Sequence, residues 1–181
     1  MRKFYKHLLI GLLLCSATVT QAATMSFTTN KAVGETFAIA MNPGLTVTVT
    51  WANGEKETFV TDGSMQTLTL ASSAFTLETD TEVTSLYVAG NGLTNMDLTN
   101  ISSSLKKLYC GNNELETLNL TNFKNLAEID AQGNKLTTFK VYGPQIVNGS
   151  DNQLATFAVS LLPRLKQVYL ADNQLKGLGV S

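Results

Sequence analysis

Histidine, cysteine, proline and charge are all scarce in this chain, and the few copies present are unevenly placed. There are one histidine, two cysteines, three prolines and 15% charged residues in 181 positions. His7, Cys15, Arg2, Lys3 and Lys6 all fall in the first 22 positions, so the rest of the chain has no histidine and one cysteine. If those 22 positions are removed as a leader, no side chain remains whose ordinary pKa suits proton transfer near neutral pH, and no imidazole to ligate a metal. Ser-His-Asp and Cys-His catalysis are excluded on that ground. A lone Cys110 cannot close an internal disulfide, so burial and hydrogen bonding must hold the fold. Three of the thirteen basic residues and none of the fourteen acidic ones lie in the first 22 positions, which leaves a charge of −4 beyond them. That acidic balance offers no basic stripe to nucleic acid. No apolar run reaches the roughly 20 residues of a membrane-spanning helix.

The first 22 residues carry a pattern of their own. Arg2, Lys3 and Lys6 precede an apolar run from Leu8 to Leu14, and small residues follow at Ala22 and Ala23. A basic start, a short greasy run and a small-residue exit predict a secretory signal peptide over residues 1–22, and hence a secreted or cell-surface protein. The alternative is a lipoprotein acylated at Cys15, which Leu14 disfavours because that processing follows a small residue.

From residue 83 onward one template recurs. In the block Leu105, Leu108, Cys110, Asn113, Leu115, Leu118, Leu120, apolar residues occupy positions 1, 4, 6, 11, 14 and 16 around an asparagine at position 9. Copies start at Val83, Leu126, Pro144 and Leu165, and their asparagines are spaced 22, 21, 18 and 21 residues apart. Each copy is too small to bury its own apolar face, so stacking must supply the core. About five turns of a leucine-rich solenoid over residues 82–181 are expected. Strand alternation sends positions 4 and 6 inward and positions 3, 5 and 7 outward. Asn91, Asn113, Asn134, Asn152 and Asn173 should form a buried structural ladder, their amides satisfying backbone groups where the chain bends. Cys110 falls at an inward position, which predicts a buried apolar role for it.

Residues 23–81 have a different rhythm. Leu45, Val47, Val49 and Trp51 alternate with Thr46, Thr48 and Thr50, the pattern of a strand with one buried face. Asn53-Gly54 reads as a hairpin turn into a strand at residues 57–61. Further strands are expected at residues 26–29, 35–41, 66–71 and 75–79. A solenoid end exposes apolar side chains unless something covers it, so this stretch is expected to be a small β-rich N-terminal cap. Trp51 shares the phase of the apolar positions and is expected in the core. At the other end, an uncovered last turn is an association risk.

The block from Leu105 to Leu120, with Leu-Tyr-Cys-Gly-Asn-Asn-Glu-Leu at 108–115, resembles the secreted leucine-rich repeat proteins of Bacteroides-type bacteria, which are similar to internalins. Its cysteine resembles that of a cysteine-bearing internalin subgroup. The resemblance implies a surface or secreted protein that binds another protein, often on a host, through its concave strand face.

That face is where binding chemistry is expected. Position 5 presents Tyr87, Tyr109, Asp130, Asn148 and Tyr169, and position 3 presents Lys107, Glu128 and Gln167. Tyrosines supply stiff amphipathic contact area, and the charges orient an encounter. The expectation is a non-enzymatic module that binds a protein partner, with glycan binding through the tyrosines or Trp51 as the alternative. No cofactor or metal is expected. Glu128 and Asp130 could do acid-base work on a sugar, but an open strand face has no pocket to shift their pKa values.

Overall fold

The computed structural model describes residues 22–158 and 162–179. The basic start and apolar run of the expected leader, Cys15, and the template residues Val159 and Val180 lie outside the described residues. The chain is mostly β, with a β-solenoid of about four turns.

Six strands precede the repeats: β1 (Ala23–Thr29), β2 (Thr36–Met41), β3 (Thr46–Trp51), β4 (Lys56–Val60), β5 (Gln66–Thr69) and β6 (Ala74–Thr79). Their alternation is the one read from the sequence. Leu45, Val47, Val49 and Trp51 are buried while Thr46 is exposed and Thr48 and Thr50 are half-buried. Gly54, with φ 87°, closes the β3–β4 hairpin by donating its N–H to the Trp51 carbonyl at 2.9 Å. Trp51 packs on Phe75 with ring centroids 5.0 Å apart, so it is a core residue.

Each repeat then contributes a short strand and a return segment. The strands β7 (Ser85–Tyr87), β9 (Lys107–Tyr109), β11 (Glu128–Asp130), β13 (Ile146–Asn148) and β15 (Gln167–Tyr169) stack in parallel and in register. The return strands are β8 (Leu93–Asp97), β10 (Thr117–Leu120), β12 (Thr138–Val141), β14 (Phe157–Ala158) and β16 (Leu178–Gly179). Five parallel strands enclose about four turns, where the template alone predicts five. The last copy supplies a strand, but among the described residues no further strand stacks on it.

Two pairings cross the boundary expected between residues 81 and 82. Strand β2 lies antiparallel on β7, and β1 lies antiparallel on β8. The repeat strands therefore continue into a seven-stranded sheet ordered β15-β13-β11-β9-β7-β2-β5. The first return strand closes a five-stranded sheet ordered β4-β3-β6-β1-β8. One buried apolar cluster runs from Ala23 through Leu162 beneath both. In the first turn, on whose strand β2 pairs, Val83, Leu86 and Val88 are fully buried.

Candidate functional site

The backbone bend in each turn sets what the outer face can present. At position 8 the chain adopts positive φ in every copy: Gly90 (71°), Asn112 (54°), Gly133 (62°), Asp151 (53°) and Asp172 (52°). Left-handed backbone is tolerated by glycine, asparagine and aspartate and resisted by other residues, which accounts for the composition of that position. The bend turns the next residue, the ladder asparagine, into the core. Asn113 accepts the N–H groups of Asn91 (2.9 Å) and Leu93 (3.0 Å) and donates to the carbonyls of Val88, Cys110 and Gly111.

Asn134 and Asn152 repeat this one and two turns on, accepting from Leu115 and Leu136 and donating to carbonyls of their own and the preceding turn. Asn173, half-buried, accepts from Leu154 and donates to Gly149 and Leu170. Asn91 has no repeat before it and bonds instead to β2, accepting the Ala38 N–H at 2.8 Å and donating to the Ala38 carbonyl at 2.7 Å. The ladder thus ties the N-terminal strands to the solenoid as well as turn to turn.

The seven-stranded sheet presents its outward residues in registered rows. One row runs Ala40, Tyr87, Tyr109, Asp130, Asn148, Tyr169. The Tyr87 and Tyr109 rings sit 5.9 Å apart at 34°, a stacking distance. Tyr169 is 51% exposed and stands apart from them, because Asp130 and Asn148 intervene. The three tyrosines are therefore a pair and a single, not one stripe.

In the neighbouring row Lys107 pairs with Glu128 at 3.4 Å, and Gln167 is exposed. Asn148 donates to Gln132 at 3.0 Å. Asp130 and Asn148 play one local role: the Oδ1 of each accepts the N–H two residues on, from Gln132 and Ser150 respectively. Tyr109 is half-buried, and its phenol pKa is pushed up to about 12, first by burial and then by hydrogen bonding and charge from Glu128 and by the charge of Asp130. Below the sheet, burial pushes the Cys110 thiol far above its usual value, with Asp130 adding to the effect. A neutral buried thiol is a packing group, not a nucleophile.

The N-terminal segment contributes to this face what the sequence does not reveal. Gly63 and Met65, in the turn after Asp62, approach Tyr87 and Tyr109 across Ala40 and enclose an open groove of about 290 Å³. Met65 is 47% and Tyr87 39% exposed. No periodicity marks Met65, since it lies between strands and reaches the tyrosines only through the pairing of β2 with β7. Among the described residues no group of three His, Cys, Asp or Glu side chains converges to hold a metal ion, and no helix is long and apolar enough to cross a membrane.

Comparison adds no relative. No family model, curated protein or solved structure matches this chain. The outer face has a half-exposed aromatic pair, a flexible thioether beside it, a neutralised Lys–Glu pair and a carboxylate one strand away, set on small residues at Ala40, Ala89 and Gly111.

Proposed function

We propose that this chain is an exported, non-enzymatic leucine-rich repeat protein, internalin-like, that binds a partner protein through the outer face of its seven-stranded sheet. The observation that carries the reading is the Tyr87–Tyr109 pair, half-exposed beside Met65 at the junction of the N-terminal strands and the first two turns. Aromatic rings and methionine are the side chains that concentrate binding free energy at protein interfaces, because they bury much area for few frozen torsions. The small residues around them leave the rings accessible. The asparagine ladder and the registered 18- to 22-residue turns support the leucine-rich repeat reading. The β2 and β1 pairings support the N-terminal strands as its cap. Glycan binding through Trp51 has little to use, since that ring is buried against Phe75.

The test is capture of cell-surface proteins by the full chain, identified by mass spectrometry. Three versions are compared: wild type, Tyr87→Ala with Tyr109→Ala, and Lys140→Ala on the opposite sheet. A specific partner should be retained by wild type and Lys140→Ala and fall at least about tenfold in the double variant. Equal capture by all three would sink the assignment of this face. Binding on a glycan array without any protein partner would replace the reading with the glycan one.

A further inference from the structure

Beside the tyrosine pair the face has an uncompensated negative charge. Lys107 and Glu128 neutralise each other at 3.4 Å, and Lys135 is engaged with Glu114 at 2.9 Å. Asp130 has no cation within ion-pairing distance among the described residues, and its Oδ1 is used only to accept the Gln132 N–H. It is in register with Tyr109 on the adjacent strand, a separation of about 4.8 Å across the sheet. Tyr87 follows one strand further on, with its ring 5.9 Å from that of Tyr109. An aromatic face next to a free carboxylate matches one protein side chain better than others. Guanidinium is planar, stacks on tyrosine, loses little hydration in doing so and bonds a carboxylate through its edge. An ammonium group would satisfy the charge but not the stack, and an acidic side chain would meet repulsion.

We infer that the face accepts an arginine side chain of the partner protein, its guanidinium lying on the Tyr87–Tyr109 pair and its edge on Asp130. This rests on the protein-binding reading above and specifies the chemistry of the partner. Encounter with such a partner weakens as salt rises, since the carboxylate is at the surface.

Asp130→Asn separates charge from structure. Asn148 already occupies the same place one strand on and bonds the Ser150 N–H as Asp130 bonds that of Gln132. The substitution therefore keeps the local turn and removes only the charge. The probe is the blocked peptide acetyl-Gly-Arg-Gly-amide, titrated into the full chain by NMR against its citrulline counterpart, which keeps shape and loses charge. The arginine peptide should shift the signals of Tyr87, Tyr109 and Asp130 and bind about fivefold more tightly than the citrulline peptide. Asp130→Asn should reduce that preference without altering the rest of the spectrum, and Tyr87→Ala with Tyr109→Ala should abolish the shifts. Equal binding of the two peptides, shifts confined to another surface, or an unchanged preference in Asp130→Asn would overturn the inference. If the tyrosine variants lose a captured partner while Asp130→Asn keeps it at every salt concentration, the face reading stands and the arginine falls.

Discussion

The two ends of the repeat stack bury the same template to different depths. At one end β2 lies on β7, and Val83, Leu86 and Val88 are fully buried. At the other, β15 pairs with β13 alone among the described residues, and Leu165, Val168, Leu170 and Leu175 are half-buried while Leu178 is 49% exposed. Identical positions hold similar residues at both ends, so residue type does not set the depth of burial. A neighbour on each side does, as nearest-neighbour stacking requires. Any stabilisation that comes from stacking should therefore be smaller in the last turn, and any that is local to one residue should not change.

Position 11 gives the largest contrast. Leu136→Ala removes a fully buried side chain between two turns and should cost about 3 kcal/mol in chemical denaturation, while Leu175→Ala should cost about 1 kcal/mol or less. Equal losses would mean that the last turn is as well supported as the middle one. The ladder gives the next contrast. Asn113→Ala leaves two buried N–H groups and several carbonyls without their partners and should cost about 2 kcal/mol, against about 1 kcal/mol for the half-buried Asn173.

Backbone conformation supplies the control in which the two ends should agree. Asn112 and Asp172 have φ of 54° and 52°, and replacing either by valine should cost about 1–2 kcal/mol, since the steric penalty belongs to one residue. Replacement by glycine at either place should be close to neutral.

The smallest effect is electrostatic and confined to Tyr109. Its phenol is pushed from 10.0 up to about 12, so the folded state holds a proton that the unfolded chain gives up. Stability from this group is whole below pH 10 and is lost as pH rises from about 10 to 12. Tyrosinate absorbance should show a late-titrating phenol that Tyr109→Phe removes, and Glu128→Gln should bring its midpoint down. An unmoved midpoint would show that burial and the charge of Asp130 raise it without Glu128.

Much of this molecule is readable from residue order. The six N-terminal strands fall where alternation and turn residues put them, because a strand with one buried face writes a period of two into its sequence. Trp51 and Cys110 are buried, as their phase predicts. The Gly, Asn or Asp at position 8 is equally legible as a left-handed bend once the copies are aligned. The Tyr87–Tyr109–Met65 groove is not legible, because Met65 belongs to a turn and its neighbours are set by which strand β2 chooses. The isolation of Tyr169 is legible, because Asp130 and Asn148 interrupt position 5 between it and the pair in the sequence itself.

Periodicity determined the strands, the inward and outward faces, and the asparagine at each bend, since each of these is settled within about 20 residues of chain by local sterics and the spacing of apolar groups. Tertiary structure alone decided that the N-terminal strands continue both faces of the solenoid, that the first turn is fully buried while the described residues of the last are half-buried, and that a methionine joins two tyrosines beside a free carboxylate. Those outcomes rest on pairings between residues dozens of positions apart, where the free energy comes from excluding water between surfaces that no local pattern specifies.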